Sequence, residues 1–260
     1  MANVPFIKAT ACGNDFLIIN ASVYSGDIHT FTRTICDRHN GIGADGVEWI
    51  LPSPDADLRI KLVNADGSDA EISGNGTRCV AAWYCSRSPA SLVRIETGAG
   101  LKTCELISRR ANTFEFSAAM GEPRVSPELA VGLMSDEVKG IPVSMGNPHY
   151  VIFVDQFAPR WQETAREVAS HRDFPQGTNV ELVRVESEHH IDVRIWERGV
   201  GETLSSGTGS SASAVAAIHS GRAKSPVRVH TLGGTQTVDW ETQVLLAGSA
   251  TLLCQGEFFS

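Results

Sequence analysis

The chain contains the segment Ser73-Gly-Asn-Gly-Thr-Arg-Cys-Val-Ala-Ala82, and a related segment follows much later as Ser206-Gly-Thr-Gly-Ser-Ser-Ala-Ser-Ala-Val215. Both have the form Ser-Gly-polar-Gly followed by small residues. Each comes after an acidic, turn-rich stretch, which runs from Asn64 to Glu71 in the first case and from Glu197 to Thr203 in the second. An internal repeat of this kind indicates two copies of one structural unit.

The residues after each motif predict a buried helix. Val80 to Cys85 and Ala212 to Ile218 are apolar nearly all round, which is typical of a helix enclosed by the rest of the fold. Elsewhere, period-two alternation predicts half-buried strands, and start and stop signals predict two more helices. The strands include Leu58–Val63, Thr113–Phe116 and Ile191–Trp196, and the helices run from Asp27 to Arg38 and from Trp161 to Arg172.

These patterns predict an α/β fold of the α+β type with two pseudo-symmetric domains. Each domain is expected to be a mixed, mostly antiparallel sheet curled around a central helix. Gly121 to Pro123 interrupts the chain, and the strand pattern restarts after it. We therefore place an N-terminal domain at residues 1–119, completed by the last residues from about 254 to 260, and a C-terminal domain at 120–253.

Composition excludes several classes of partner. The chain has 260 residues, 42% of them hydrophobic, and a formal net charge of −8 that is spread along its length. This balance argues against nucleic acid as a ligand. The first residues lack the regions of a secretory signal, and no apolar stretch approaches the ~20 residues of a membrane span, so we expect a cytoplasmic protein with no membrane partner. The six cysteines form no C-x-x-C pair and are expected to be free, mostly buried thiols without structural zinc.

The two motifs favour chemistry on an amino acid. A Gly-rich turn that opens a helix presents unpaired N–H groups and the positive end of the helix dipole, which together bind an anion. Two such turns facing each other would hold one carboxylate, with Ser73 and Ser206 flanking the α-carbon from opposite sides. Removal of an α-proton without pyridoxal phosphate needs strong donors at the carboxylate, a base on one face and an acid on the other.

At this point the chain resembles the diaminopimelate epimerase family along nearly its whole length. The motifs that match in order are Gly13-Asn-Asp-Phe16, Asp37-Arg-His39, Gly41-Ile-Gly-Ala-Asp-Gly46, Asn64-Ala-Asp-Gly67, Gly74-Asn-Gly76, Met145-Gly-Asn-Pro-His149, Asn179, Glu197-Arg198 and Gly207-Thr-Gly209. The resemblance implies two pseudo-symmetric domains with the site in the cleft. It also implies a cofactor-independent isomerase that converts LL- to meso-diaminopimelate in the synthesis of lysine and peptidoglycan precursors, with an amino acid as its partner and a homodimer as the candidate assembly.

The resemblance assigns roles to individual residues. His149 and Glu197 match groups that assist the proton-transferring pair at positions 73 and 206. The positions that match substrate-binding residues are Asn14, Asn64, Asn147, Asn179, Glu197 and Arg198, together with Gly74, Asn75, Gly207 and Thr208 in the carboxylate-holding turns. No metal or other cofactor is expected.

The chain departs from the family where the chemistry occurs. The family's two catalytic cysteines correspond to Ser73 and Ser206, and a serine hydroxyl is a far weaker acid than a thiol. Ordinary two-thiol epimerisation is therefore expected to be absent or severely slowed. The serines are either laboratory replacements that remove the thiolates or native residues of a branch with another task. Thr10-Ala11 stands where the family usually has His-Gly, and neighbouring Cys12 is expected to be a buried small hydrophobe.

Simpler interpretations apply to several of these residues. Gly41 to Gly46 fits G-x-G-x-x-G but lacks the strand and helix of a dinucleotide site, so we predict a turn. His189-His190 is expected to be solvated. Glu197 and Arg198 can also be interpreted as a surface ion pair without a function. Ser73 and Ser206 can also be interpreted as simple helix caps. Besides the epimerase, two alternatives remain: a lyase or other racemase with the same fold, and an inactive amino-acid-binding protein.

Overall fold

The computed structural model describes residues 3–134 and 136–259. The chain divides into two compact units. Unit 1 comprises Met1–Ala118 and Gly248–Ser260, and unit 2 comprises Ala119–Ala247.

Strands alternate with four helices in the described part of the chain. The first half contains β1 (Asn3–Ala11), β2 (Asn14–Asn20), α1 (Ile28–Cys36), β3 (Gly46–Leu51), β4 (Leu58–Asn64), β5 (Asp69–Ala70), α2 (Gly74–Arg87), β6 (Leu92–Thr97), β7 (Gly100–Arg110) and β8 (Thr113–Gly121). The second half contains β9 (Arg124–Val125), β10 (Leu129–Gly132), β11 (Glu137–Ser144), β12 (Pro148–Phe153), α3 (Trp161–Ala169), β13 (Asn179–Ser187), β14 (His190–Glu197), β15 (Gly201–Thr203), α4 (Gly207–His219), β16 (Val227–Thr231), β17 (Gly234–Trp240) and β18 (Val244–Phe259).

In unit 1 a mixed sheet packs around α2. Strand β2 pairs antiparallel with β1 and parallel with β3, β3 pairs antiparallel with β4, and the β6, β7 and β8 strands form an antiparallel meander. The C-terminal part of β18 returns to pair antiparallel with β1. One face of the sheet packs on α2 through a core that includes Ile18, Leu62 and Val80, and the other packs on α1 around Trp49.

Unit 2 repeats this arrangement around α4. Strand β12 pairs antiparallel with β11 and parallel with β13, and β13 pairs antiparallel with β14. The β16, β17 and β18 strands complete the sheet as antiparallel neighbours. One core surrounds α4 through Val193, Val215 and Val229, and a second lies under α3 around Tyr150 and Trp161.

The two units correspond residue by residue over much of their length. The numbers of matched residues differ by 133 throughout: α1 and α3 begin at 28 and 161, α2 and α4 begin at 74 and 207, and β3 and β13 begin at 46 and 179. The same spacing joins Gly13 and Gly146, which both have positive φ (84° and 98°) where glycine is favoured. The predicted α+β fold with two pseudo-symmetric halves is therefore confirmed.

The central helices are buried because their side chains are small. Nine residues of α2 and nine of α4 are buried, and most of them are Ala, Val, Ser, Thr, Gly or Cys. These short side chains let the surrounding strands approach the helix closely, as the sequence predicts. Both central helices begin at the first glycine of the motif rather than after the second. The helices α1 and α3 end at Cys36 and Ala169, which is before the predicted ends at Arg38 and Arg172.

Other predictions concern single residue types. All six cysteines are free; four are buried, Cys12 is half-buried and Cys254 is exposed. Among the described residues, no helix is long and apolar enough to cross a membrane.

Candidate functional site

Each Ser-Gly-polar-Gly motif forms the start of a central helix. Ser73 is extended, and its Oγ accepts a hydrogen bond from the Gly76 N–H at 3.1 Å. Ser206 is also extended, and its Oγ accepts from the Gly209 N–H at 3.3 Å. The first N–H groups of a helix have no partner within it, and each serine satisfies only one of them. The remaining N–H groups lie at the positive end of the helix dipole, which suits an anionic group.

In unit 1 the helix start is joined to the β1–β2 turn. Asn75 donates from Nδ2 to Asn14 Oδ1 at 2.7 Å, and Arg78 donates to Asn75 Oδ1. Asn14 in turn donates from Nδ2 to Asp45 Oδ2 at 3.0 Å. Two predicted binding residues, Asn14 and Asn75, are thus brought together, and their amide orientations are fixed by Arg78 and Asp45.

Asn64 lies apart from this network. It ends β4 and donates from Nδ2 to Ser68 Oγ at 3.0 Å, within the tight turn that also bonds the Gly67 N–H to the Asn64 carbonyl. Among the hydrogen bonds of the described residues, none joins Asn64 to Asn14 or Asn75. Its backbone does pair with Gly46 of β3, which immediately follows Asp45.

In unit 2 a continuous chain of polar contacts leads from the sheet to the motif. His149 Nδ1 lies 2.7 Å from Glu181 Oε1, and His149 Nε2 lies 3.1 Å from Asn147 Oδ1. Asn147 Nδ2 donates to Thr208 Oγ1 at 3.4 Å, and that oxygen lies 3.5 Å from Ser206 Oγ. The structure therefore brings together four predicted residues, His149, Asn147, Thr208 and Ser206.

The His149–Glu181 pair is fully enclosed. His149 is 2% exposed and Glu181 is 0% exposed. Burial raises the pKa of the Glu181 carboxyl, and the nearby His149 opposes that rise. The two ring nitrogens of His149 therefore link the Glu181 carboxyl group to the Asn147 amide oxygen.

Asn179 and Arg198 form a structural unit. Asn179 Oδ1 accepts from the Arg198 backbone N–H at 2.9 Å, and Asn179 Nδ2 donates to the Pro148 carbonyl at 3.0 Å. The Arg198 guanidinium donates to the Gln176 carbonyl at 2.9 Å. Asn179 therefore holds the turn after β14 against the start of β12, and no ion pair joins Glu197 to Arg198 in the part of the chain that is described.

Sequence reasoning missed two buried glutamates, Glu48 on β3 and Glu181 on β13. Both are 0% exposed, and each lies against the second glycine of a motif. A Cβ added at Gly76 would overlap Glu48 Oε1, and a Cβ added at Gly209 would lie 2.8 Å from Glu181 Oε1. A sequence signal was present only for Glu48, which is the single charged residue of the otherwise apolar strand β3. Glu197 is half-buried at the end of β14 and contributes to the raised pKa of Glu181.

The remaining candidates take the simpler roles. Gly41 to Gly46 is a turn that leads into β3, as predicted. His189 is exposed and contacts the Pro226 carbonyl, and no group of three or more His, Cys, Asp or Glu in the described residues could hold a metal ion. Cys12 has a positive φ of 47°, and Arg78 Nη2 lies 3.8 Å from its Sγ.

Comparison with known proteins shows the family of the chain. The family model for diaminopimelate epimerase matches residues 6–125 and 141–253. Curated diaminopimelate epimerases from Halothermothrix orenii and Pelotomaculum thermopropionicum are 39% and 37% identical to the chain; each alignment covers 97% of it, and they cover 96% and 98% of the relatives. A crystal structure of a PhzF-family phenazine biosynthesis protein from Bacillus anthracis shares the fold, with a TM-score of 0.73, 16% identity and full coverage of both chains. The chain therefore belongs to the diaminopimelate epimerase family.

Proposed function

We propose that the protein is a cofactor-independent amino-acid epimerase that inverts the α-carbon of diaminopimelate. The observation that carries this proposal is the pair of corresponding Ser-Gly-polar-Gly helix starts, each with its serine as the N-cap and its next N–H groups available. Relatives 35–39% identical over nearly the whole chain are named diaminopimelate epimerase, which supports the same substrate.

The proposed chemistry begins with the substrate carboxylate at the motif N–H groups. Removal of the α-proton leaves an electron pair that delocalises into this carboxylate, and backbone donors stabilise the charge as it forms. The His149–Glu181 pair then serves as one proton source. Asn14, Asn64, Asn147, Asn179 and Arg198 are proposed to contact the substrate, with Glu197 assisting proton transfer.

A second candidate function is an amino-acid-binding protein without turnover. The observation that favours it is that both motif positions carry serine, and both hydroxyls already accept a backbone hydrogen bond as caps. A serine hydroxyl holds its proton too tightly to act as the family's thiol does. The two functions differ in whether α-hydrogen exchange accompanies binding.

The first experiment incubates the protein with each stereoisomer of diaminopimelate in heavy water and follows deuterium incorporation by mass spectrometry. The epimerase proposal predicts incorporation at the α-carbon together with interconversion of LL and meso forms. Saturable binding by calorimetry without incorporation would favour the binding protein, and absence of both would remove the proposed function.

A second experiment restores the thiols with the Ser73→Cys/Ser206→Cys double variant. Its matched control is the Ser73→Ala/Ser206→Ala double variant, which alters the same positions without adding a thiol. We expect epimerisation to increase in the cysteine variant alone. If binding persists and neither variant exchanges hydrogen, the protein is a binding protein.

The predicted domain limits, homodimer and cytoplasmic location stay part of this proposal. Analytical ultracentrifugation tests the dimer, and limited proteolysis tests the domain limits near residue 120.

A further inference from the structure

The serine at position 73 leaves unit 1 without an evident group to carry a proton. A hydroxyl is far less acidic than a thiol, so a carbanion mechanism needs another titratable side chain beside the first motif. Within the described residues of unit 1, the buried carboxyl group in contact with this motif is Glu48. The inference below rests on the proposed function and identifies the proton-carrying residue of this unit.

Glu48 lies on the face of β3 that packs against α2. Its cross-strand neighbours are Ile18 on β2 and Leu62 on β4, both buried and apolar. From the helix side, burial raises the pKa of the Cys79 thiol; the Arg78 charge opposes this rise and the Glu48 charge adds to it. The pKa of Glu48 itself is raised by desolvation.

The carboxyl group is aimed at the motif itself. A Cβ added at Gly76 would overlap Glu48 Oε1 and would lie 3.3 Å from Ser73 Cβ. The glutamate oxygen and the serine thus approach the same point beside the first turn of α2. Only a glycine at position 76 leaves room for this approach.

Neither oxygen of Glu48 has a hydrogen-bond partner among the described residues, and the side chain is 0% exposed. A buried carboxyl without a partner is unfavourable for folding and is rarely retained for stability alone. Such groups are characteristic of sites where a proton must be moved.

The corresponding glutamate of unit 2 has a partner for one of its two carboxyl oxygens, while its Oε2 has none among the described residues. Glu181 occupies the position equivalent to Glu48, and His149 bonds its Oε1. The residue equivalent to His149 in unit 1 is Phe16, which is buried and has no donor. Unit 1 therefore keeps the carboxyl group but lacks the histidine that, in unit 2, opposes the rise in the pKa of the carboxyl.

We propose that Glu48, and not Ser73, takes up and returns the α-proton on the side of the substrate served by unit 1. The Cα–H bond breaks, the proton bonds to a Glu48 carboxylate oxygen, and the electron pair remains on the substrate, delocalised into its carboxylate. Return of a solvent-exchanged proton from the same carboxyl to the α-carbon completes hydrogen exchange at that carbon. Electrons and protons balance without a further reactant.

The proton affinity of this side chain suits that role. Desolvation raises the pKa of Glu48 to about 8, close to the reference value of ~8.5 for the cysteine thiol that the family uses. A base of this strength is partly ionised near neutral pH and binds a proton far more strongly than an exposed carboxylate. Exchange is expected to increase with pH through about 8, where the carboxylate forms.

The test is Glu48→Gln, with Glu105→Gln as the matched control because Glu105 is an exposed strand glutamate of the same unit. Deuterium incorporation is measured separately at L and D α-carbons of diaminopimelate. We expect Glu48→Gln to lose at least ~100-fold in exchange at one configuration, the usual size of a general-base contribution. It should retain exchange at the other configuration and bind substrate as before, while Glu105→Gln behaves as the unaltered protein.

Other outcomes would overturn the inference. Equal losses at both configurations indicate a merely structural role, and no loss shows that another group carries the proton. Glu48→Asp guards against misfolding, because it keeps a carboxyl group and should retain both the pH dependence and part of the lost exchange. If the unaltered protein exchanges hydrogen and Glu48→Gln exchanges it equally fast, only the role of Glu48 is refuted. If the unaltered protein neither binds diaminopimelate nor exchanges hydrogen, the proposed function is refuted, and the role of Glu48 with it.

Discussion

The buried carboxyl of Glu48 predicts an unusual dependence of stability on pH, which Glu48→Gln should abolish. Burial raises the pKa of this group from its ordinary value of 4.5 to about 8 in the folded protein. A carboxyl whose pKa is raised on folding stabilises the fold below its unfolded pKa, and that stability is lost as pH rises through the folded pKa. The affected window is therefore pH 4.5 to about 8.

The magnitude follows from the two pKa values. At about 1.4 kcal/mol for each pH unit, a change from 4.5 to about 8 corresponds to about 5 kcal/mol of unfolding free energy. A glutamine cannot ionise but leaves an unpaired amide, which costs about 1–3 kcal/mol at all pH values. We therefore expect Glu48→Gln to be less stable than the unaltered protein near pH 5 and more stable above pH 8.

Chemical denaturation at half-unit pH steps from 5 to 9 measures this difference directly. Subtracting the unaltered protein from the variant removes the effect of carboxyls whose pKa is lowered, such as Asp15 and Asp66, because both proteins share them. Glu105→Gln should give no trend. A difference between Glu48→Gln and the unaltered protein that is constant over this range would refute the reasoning, since Glu48 would then be equally ionised in the folded and unfolded states.

Three further predictions concern the glycines, the capping serines and the buried histidine at the motifs. Gly76→Ala should destabilise by about 1–3 kcal/mol, because its Cβ would overlap Glu48 Oε1 and that side chain must shift. Gly74→Ala, with nothing within 4 Å, should be neutral or stabilising by up to ~1 kcal/mol, and thermal melting compares the two variants directly. Ser73→Ala and Ser206→Ala should each cost about 1 kcal/mol in urea denaturation, the usual loss for an N-cap, and a loss no larger than that of Ser22→Ala would exclude a capping role. His149→Phe introduces the residue found at the equivalent position 16, and it should lower the free energy of unfolding by about 3–5 kcal/mol near neutral pH because Glu181 loses its partner. A combined His149→Phe/Glu181→Leu variant should recover part of that free energy, as measured by urea denaturation.

The sequence predicted the two central helices most accurately, because their repeated motif and small residues have direct structural consequences. The small-residue composition of α2 and α4 predicts burial, and the serine before each glycine predicts the N-cap, because both depend only on local residues. The predicted ends of the helices were less accurate than their predicted burial and starts. The predicted continuation of α1 to Arg38 fails because Asp37 leaves the helical region, and its carboxylate instead bonds the His39 and Asn40 N–H groups.

The polar contacts were harder to predict because they join residues distant in sequence. The pairing of His149 with Glu181 depends on the parallel register of β12 and β13, which places His149 opposite Asn179. The motif match singled out the histidine, but nothing local to Glu181 distinguishes a buried partner from an exposed strand glutamate. Asn179 is a similar case: its side chain bonds the backbone at both Pro148 and Arg198, and only the folded turn brings these groups together.

The two units have the same fold, but they differ in the residue that lies beside the equivalent glutamate and affects its pKa. In unit 2, burial raises the pKa of Glu181 and His149 opposes that rise, while in unit 1 the buried Phe16 leaves Glu48 to desolvation alone. Under the proposed role of Glu48, one difference between the two copies, Phe16 in place of a histidine, gives unit 1 a carboxyl that is partly ionised near neutral pH. Loss of the thiol at position 73 therefore need not abolish proton transfer in unit 1.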